Sequence, residues 1–151
     1  MHTMESAIKI ALWSAQDAAF NLDFIPDDKL DWKPTPEAKS ALEIANEIAS
    51  SFQGGISWLE SGKWGVEYTP ATTRDAVKTA IKNNSEKYAQ KLREFPEERL
   101  SEIYESPMGP MSVQFVVSLA LIDVTHHHGQ IKYIQSLLGD AEDHFVAAEL
   151  P

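Results

Sequence analysis

Apolar residues recur at spacings of three and four along four long segments of this chain and almost nowhere alternate at two. That rhythm matches one face of a helix, whereas a half-buried strand repeats at two, so the chain is directed to an all-α architecture. The first segment, about Glu5 to Asn21, sets Met4, Ala7, Ala11, Ser14, Ala15, Ala18 and Leu22 on one face, small residues that let a neighbouring helix come close. Three prolines between Phe24 and Pro36 interrupt the pattern, since proline fixes φ and has no N–H. A second helix starts after Ser40, with Glu43 three positions on as a capping box, and runs to about Glu60. Its stripe is Ala41, Ile44, Ala45, Ile48, Phe52 and Leu59. Gly54-Gly55 costs it ~1 kcal/mol per glycine against Ala and reads as a close helix crossing.

The third helix takes Thr72 or Thr73 as its cap, carries Val77, Ala80, Ile81, Tyr88 and Leu92, and is closed by Pro96. Arg99 to Pro110, which holds two prolines and a glycine, reads as an ordered excursion. The fourth helix, about Met111 to Leu138, is the most apolar, and Gly139-Asp140 stops it. An acidic tail follows, with Phe145 and Val146 as docking points. Four amphipathic helices in one chain of this size predict a four-helix bundle. Trp58 and Trp64, near the Gly-rich turn, are read either as core or as aromatics marking a protein interface.

Composition limits the partners. The 151 residues hold 13 Lys+Arg against 23 Asp+Glu, a net charge of −10, with 43% hydrophobic residues and no cysteine. A single domain over residues 1–151 is expected at this length, with roughly two-thirds of the unfolded surface buried. Disulfides and thiolate metal sites are excluded. An acidic chain lacks the clustered Lys and Arg that a phosphate backbone requires, so no nucleic acid is expected. No apolar run approaches the ~20 residues of a membrane span, and Met1-His2-Thr3-Met4-Glu5 is not a signal-peptide start. No membrane partner and a cytoplasmic location are expected.

Polar residues inside an apolar stripe carry the chemical information, because burying one without partners costs ~1–3 kcal/mol. On the fourth helix Val113, Val116, Val117, Ala120, Val124, Ile131, Ile134 and Leu138 share one arc, with His127 near its centre and Asp123 within its edge. These two are four apart, so their side chains meet over one turn and can share a metal or a proton. His126 and Gln130 project to one flank and His128 to the other. The same pair is also what a satisfied core histidine oriented by an aspartate looks like. A metal needs at least a third ligand, from a facing helix, and Glu47 at the border of the second helix's stripe is the candidate, although a border Glu also reads as a solvated charge. Asn84, centred in the third helix's stripe, reads as an amide bonded to backbone or as a further site residue.

Leu30-Asp31-Trp32-Lys33-Pro34-Thr35-Pro36 followed by Ser40 to Ala49, and His126-His127-His128-Gly129-Gln130 about 80 residues later, resemble the second-helix start and the fourth-helix motif, usually H-H-R-G-Q, of the DinB/YfiT-like superfamily of metalloenzymes. The resemblance implies an up-down-down-up four-helix bundle with its longer connections between helices one and two and between three and four, and a homodimer packed through helices. It also implies a divalent metal held by three histidines, one from the second helix and an i, i+4 pair from the fourth. Carried over by motif position, these fall on Glu47, Asp123 and His127, of which one is histidine.

Two carboxylates and one imidazole form a harder set than three imidazoles, shifting preference from zinc or nickel toward manganese, iron or magnesium, with zinc still accommodated. They also neutralise a divalent ion and so acidify a bound water less strongly. His126 is placed as a substitute ligand, an outer partner or a proton shuttle, its side of the helix favouring the outer partner, and His126 or Gln130 as the group orienting a small-molecule substrate. The activity the resemblance implies is that of a metal-dependent transferase or hydrolase, in particular a transferase that activates a low-molecular-weight thiol against a small electrophile. The alternative is a non-catalytic bundle with a degenerate metal site, acting as a small-ligand or protein-interaction module.

Overall fold

The structure is a computed structural model, and it describes residues 2–65 and 67–147. Four helices dominate it: α1 (Glu5–Asn21), α2 (Ala41–Ser61), α3 (Arg74–Glu94) and α4 (Val113–Leu137). Their starts follow from local chemistry. The Ser40 side chain accepts from the Glu43 N–H while Glu43 accepts from the Ser40 N–H, a complete capping box. Thr73 and Ser112 accept from Ala76 and Phe115 at the starts of α3 and α4. Gly62 ends α2 at φ +70°, a left-handed turn that costs glycine nothing.

Cross-helix contacts fix the directions. Asn84 on α3 donates to the Ala49 carbonyl on α2, and Lys91 pairs with Glu60, so α2 and α3 run the same way. Glu47 faces His127, and Asp123 bonds Ser51, so α2 and α4 are antiparallel. Arg93 pairs with Glu5 at one end of α1, and Lys78 pairs with Asp23 just beyond the other, so α1 opposes α3. This is the up-down-down-up course. Each of α1 and α2 packs on both α3 and α4. The parallel α2–α3 pair requires its connection to travel back along the bundle, and Asn46 near the start of α2 catches it: its Oδ1 accepts from the Tyr68 hydroxyl and the Ala71 N–H, while its Nδ2 donates to Leu42 and Ala71 carbonyls.

The core runs the length of the bundle, from Met4 and Ile8 to Val124, Ile131 and Ile134. Gly55 sits at a close crossing: a Cβ there would stand 2.5 Å from Cε2 of the buried Tyr88 ring, the helix contact that the Gly54-Gly55 pair predicts. Asn84 takes the backbone-bonded alternative. The region expected as an ordered excursion contains a hairpin, β1 (Ile103–Ser106) antiparallel to β2 (Gly109–Ser112). Met111 therefore belongs to a strand, and α4 begins two residues later than its apolar run suggests, because Ser112 is a better cap than any residue before it. Trp58 is 5% exposed, a core residue rather than an interface aromatic, while Trp64 is exposed. No helix among the described residues is long and apolar enough to cross a membrane.

Candidate functional site

The antiparallel packing of α2 on α4 brings Glu47, Asp123 and His127 together. His127 Nε2 lies 3.4 Å from Glu47 Oε2 and 3.4 Å from Asp123 Oδ1. The imidazole is 9% exposed, the carboxylates 34% and 40%, so the cluster is walled by the bundle on the ring's side and open toward the acids. On the other edge of the ring, Nδ1 is 2.6 Å from Gln130 Oε1. A carbonyl oxygen accepts, so Nδ1 carries the proton of this hydrogen bond. Nε2 then presents either a lone pair or a second proton to the two carboxylates.

Electrostatics follow from this arrangement. Burial disfavours the imidazolium, but the bonds to Asp123 and Gln130 and the charges of Asp123 and Glu47 outweigh it, lifting His127 above the ordinary histidine value. Burial likewise raises the Asp123 carboxyl, yet hydrogen bonds from His127 and Ser51, with the nearby His127 and His126, leave it below the usual range. Glu47 is two-sided. Its Oε1 is ion-paired with Lys39, whereas its Oε2 is buried without a hydrogen-bond partner. An orphaned buried carboxylate oxygen is costly and calls for a proton or a cation.

As it stands, no group of three or more His, Cys, Asp or Glu side chains among the described residues is set to hold a metal ion. The donor chemistry nevertheless suits one: ligand atoms each ~2.1 Å from a tetrahedral ion lie ~3.4 Å apart, which is the spacing from Nε2 to each carboxylate. The protonated Nδ1 engaged by Gln130 is the outer bond that a metal-binding histidine makes. His126 is exposed and stacks edge-on against the His127 ring, with centroids 5.1 Å apart.

A groove of about 500 Å³ runs beside the cluster, lined by Lys39, Glu43, Asn46, Glu47, Ser50, Tyr68 and Pro70. Of the three candidate ligands Glu47 reaches it. Tyr68 stays a phenol, since burial raises its pKa more than the Ala71 backbone lowers it. The groove exists because the α2–α3 connection folds back over α2, an arrangement that helical periodicity does not encode.

A second polar cluster was not anticipated. Asp17, fully buried on α1, is 2.6 Å from His128 Nε2, and its Oδ1 accepts from the Val146 N–H at 2.6 Å. Asn21 bonds Asp17 and the His144 carbonyl, Trp13 donates to the Val146 carbonyl, and the His144 ring stacks on Phe24 at 3.6 Å. The tail therefore docks through the Val146 backbone and His144, while Phe145 is 62% exposed. The signal available in the sequence is Ser14, Asp17 and Asn21 recurring at helical spacing within a run of alanines.

No protein-family model and no curated protein matches the sequence. Among solved structures, the chain is similar to the crystal structure of a DinB-like protein, YjoA, from Bacillus subtilis, with a TM-score of 0.74 at 19% identity, covering 96% of this chain and 99% of that one. The chain has the DinB-like four-helix fold.

Proposed function

We propose that Glu47, Asp123 and His127 form a divalent-cation site, and that the site serves a metal-dependent transfer to a small electrophile by a low-molecular-weight thiol. The observation that carries this reading is the pairing of a buried Glu47 Oε2 that lacks a hydrogen-bond partner with a ring nitrogen 3.4 Å away whose opposite edge is already engaged by Gln130. A lone pair facing two carboxylates is repulsive, and a cation between them removes the repulsion while satisfying all three donors. When bound, such a cation supplies Lewis acidity that favours the deprotonated form of a thiol or water.

The chain's own residues would do the rest. Gln130 holds the His127 ring in the tautomer that exposes Nε2. Lys39 keeps the outer oxygen of Glu47 occupied, so that this acid presents its other oxygen inward, and Ser51 on α2 helps hold Asp123 as a carboxylate. The groove beside Glu47, with the phenol of Tyr68 and the amide of Asn46 on its wall, is large enough for a small organic substrate. His126, exposed beside the His127 ring, is the residue placed to move a proton at the rim.

A second reading is favoured by the absence of a ready-made cage among the described residues: His127 as an imidazolium held between two carboxylates, in a bundle that binds ligands or partners without catalysis. The experiment separating the two is metal analysis of protein purified without an affinity tag, after equilibration with manganese, iron(II), zinc or nickel. About one equivalent retained, and lost in Asp123→Ala and His127→Ala, supports the cation site. Sub-stoichiometric metal under every loading condition, with both variants altering stability alone, leaves the second reading.

A further inference from the structure

We propose that the cavity beside the hairpin, at the end of the bundle where α2 and α3 finish, binds a small organic acid with an apolar body, whose oxygens pair with the Arg99 guanidinium and the indole N–H of Trp58. The cavity measures about 400 Å³, within the range of small-molecule sites. Trp58, Phe95 and Tyr104 wall it, with Val113 at the start of α4, and the exposed Arg99 and Glu102 complete it. It is separate from the Glu47–Asp123–His127 cluster. Trp58 lies ~16 Å beyond Glu47 along α2, and Val113 ~15 Å before Asp123 along α4, at ~1.5 Å per residue.

Local chemistry builds the walls. Gly62, left-handed at φ +70°, turns the chain away at the end of α2. Beyond α3, Pro96 opens the short helical turn of Glu97–Ser101, which brings Arg99 back until its guanidinium carbon is 5.1 Å from the centroid of the Phe95 ring. The Val113 N–H then donates to the Glu102 carbonyl at 2.9 Å, fastening the start of β1 to α4. Tyr104 on that strand meets the Trp58 indole edge-on, with centroids 5.6 Å apart. Three aromatic rings from three parts of the chain thus converge on one space.

Three observations set the chemistry of the occupant. First, Trp58 is 5% exposed, and its Nε1 is buried without a hydrogen-bond partner. An indole nitrogen donates and does not accept, so what is missing there is an acceptor. Second, Arg99 is half engaged: its Nε donates to Glu102 Oε2 at 3.2 Å, while its two terminal amino groups have no hydrogen-bond partner among the described residues. Free guanidinium amino groups match the paired oxygens of a carboxylate. Third, the acids on the wall are already neutralised, Glu60 by Lys91 and Glu102 by Arg99. An amine would find no free carboxylate, would be repelled by Arg99 and would leave the indole N–H unbonded. The three rings supply the apolar contact for the body of the acid.

The test is isothermal titration calorimetry of the metal-free chain with phenylacetate, beside phenylethanol and phenethylamine, which carry the same ring with a neutral and a cationic end. Phenylacetate is expected to bind at one equivalent, ~10-fold or more tighter than phenylethanol, with phenethylamine the weakest. Arg99→Gln, an exposed change that leaves the fold intact, is expected to weaken phenylacetate by ~10-fold or more, and Glu102→Gln, which removes the competing carboxylate, to tighten it several-fold. In NMR spectra the Trp58 indole N–H resonance should move downfield at saturation, the sign of a new hydrogen bond. Asp123→Ala, which removes a carboxylate of the cation site, should bind phenylacetate as the parent does. No saturable binding of phenylacetate, phenethylamine binding as tightly, an affinity indifferent to Arg99→Gln, an unmoved Trp58 resonance, or loss of binding in Asp123→Ala overturns the proposal.

Discussion

His127 Nε2 and Glu47 Oε2 face each other at 3.4 Å across the α2–α4 contact, and the glutamate oxygen is buried with no hydrogen-bond partner. The relationship has a definite pH signature. Because the folded His127 pKa is raised above its ordinary 6.5, the proton it gains stabilises the fold fully below the unfolded value, and that contribution is lost as pH rises from 6.5 through the folded value. Asp123 has the opposite sign: its carboxyl is lowered from 3.8, so its contribution is present above 3.8 and lost as pH falls through the folded value. Histidine ring resonances followed by NMR titration should show His127 titrating above the ordinary histidine value of 6.5, and a divalent cation that displaces the Nε2 proton should abolish that titration. A His127 titration unchanged by saturating cation contradicts the cation site.

Gln130 offers a sharper test than the ligands themselves, because it touches His127 at Nδ1 and not at the edge facing the carboxylates. Gln130→Ala is expected to reduce cation affinity by ~10–100-fold while leaving the stoichiometry unchanged, the behaviour of a residue that orients a ligand. Gln130→Glu, which keeps the acceptor, should recover most of the affinity. Isothermal titration calorimetry reads both. Equal affinities in all three proteins would remove Gln130 from the site.

Helix periodicity made the bundle legible because each of its helices buries a continuous stripe, and the Ser40–Glu43 capping box and Gly62 mark the ends of α2 in local terms. His127 and Asp123 were legible for the same reason, as polar residues breaking the stripe of α4. Glu47 stood only at a stripe's border, and what singles it out, the division between an oxygen on Lys39 and an orphaned one, depends on the way α2 meets α4. Asp17 was harder still. Its partners His128 and Val146 are 111 and 129 positions away, and no short-range rhythm reports a contact of that separation. The hairpin of Ile103–Ser106 and Gly109–Ser112 is short enough that alternation over each strand is indistinguishable from chance.

The Asp17–His128 contact should matter to stability more than its place near the chain's end suggests. Asp17 is fully buried, and His128, the Asn21 amide and the Val146 N–H surround its carboxylate. His128→Ala removes one of these partners and leaves a buried acid, a change expected to cost ~3–5 kcal/mol. Asp17→Asn, which keeps the shape but loses the charge, should cost less. Both should accelerate hydrogen exchange at the Val146 amide ahead of the core amides of α2. Chemical denaturation gives the first quantity and exchange mass spectrometry the second, and an unchanged Val146 rate in His128→Ala would show that the tail is held by other contacts.

Gly55 tests the close approach of α2 to α3. A methyl group at this position would come within 2.5 Å of Tyr88 Cε2 and 3.1 Å of Cδ2. The ring cannot retreat easily, since it is fully buried against Phe52 and its hydroxyl donates to the Val117 carbonyl on α4. Gly55→Ala ought to gain ~1 kcal/mol from helix propensity alone, yet overpacking a filled core costs ~1–3 kcal/mol, and here a single contact couples three helices. Net destabilisation is expected, partly relieved by Tyr88→Leu, which withdraws the ring. Urea denaturation of the two single variants and the double variant measures the coupling. A Gly55→Ala chain more stable than the parent would mean that α2 and α3 can separate without loss, and the small-residue crossing would not be what holds them in register.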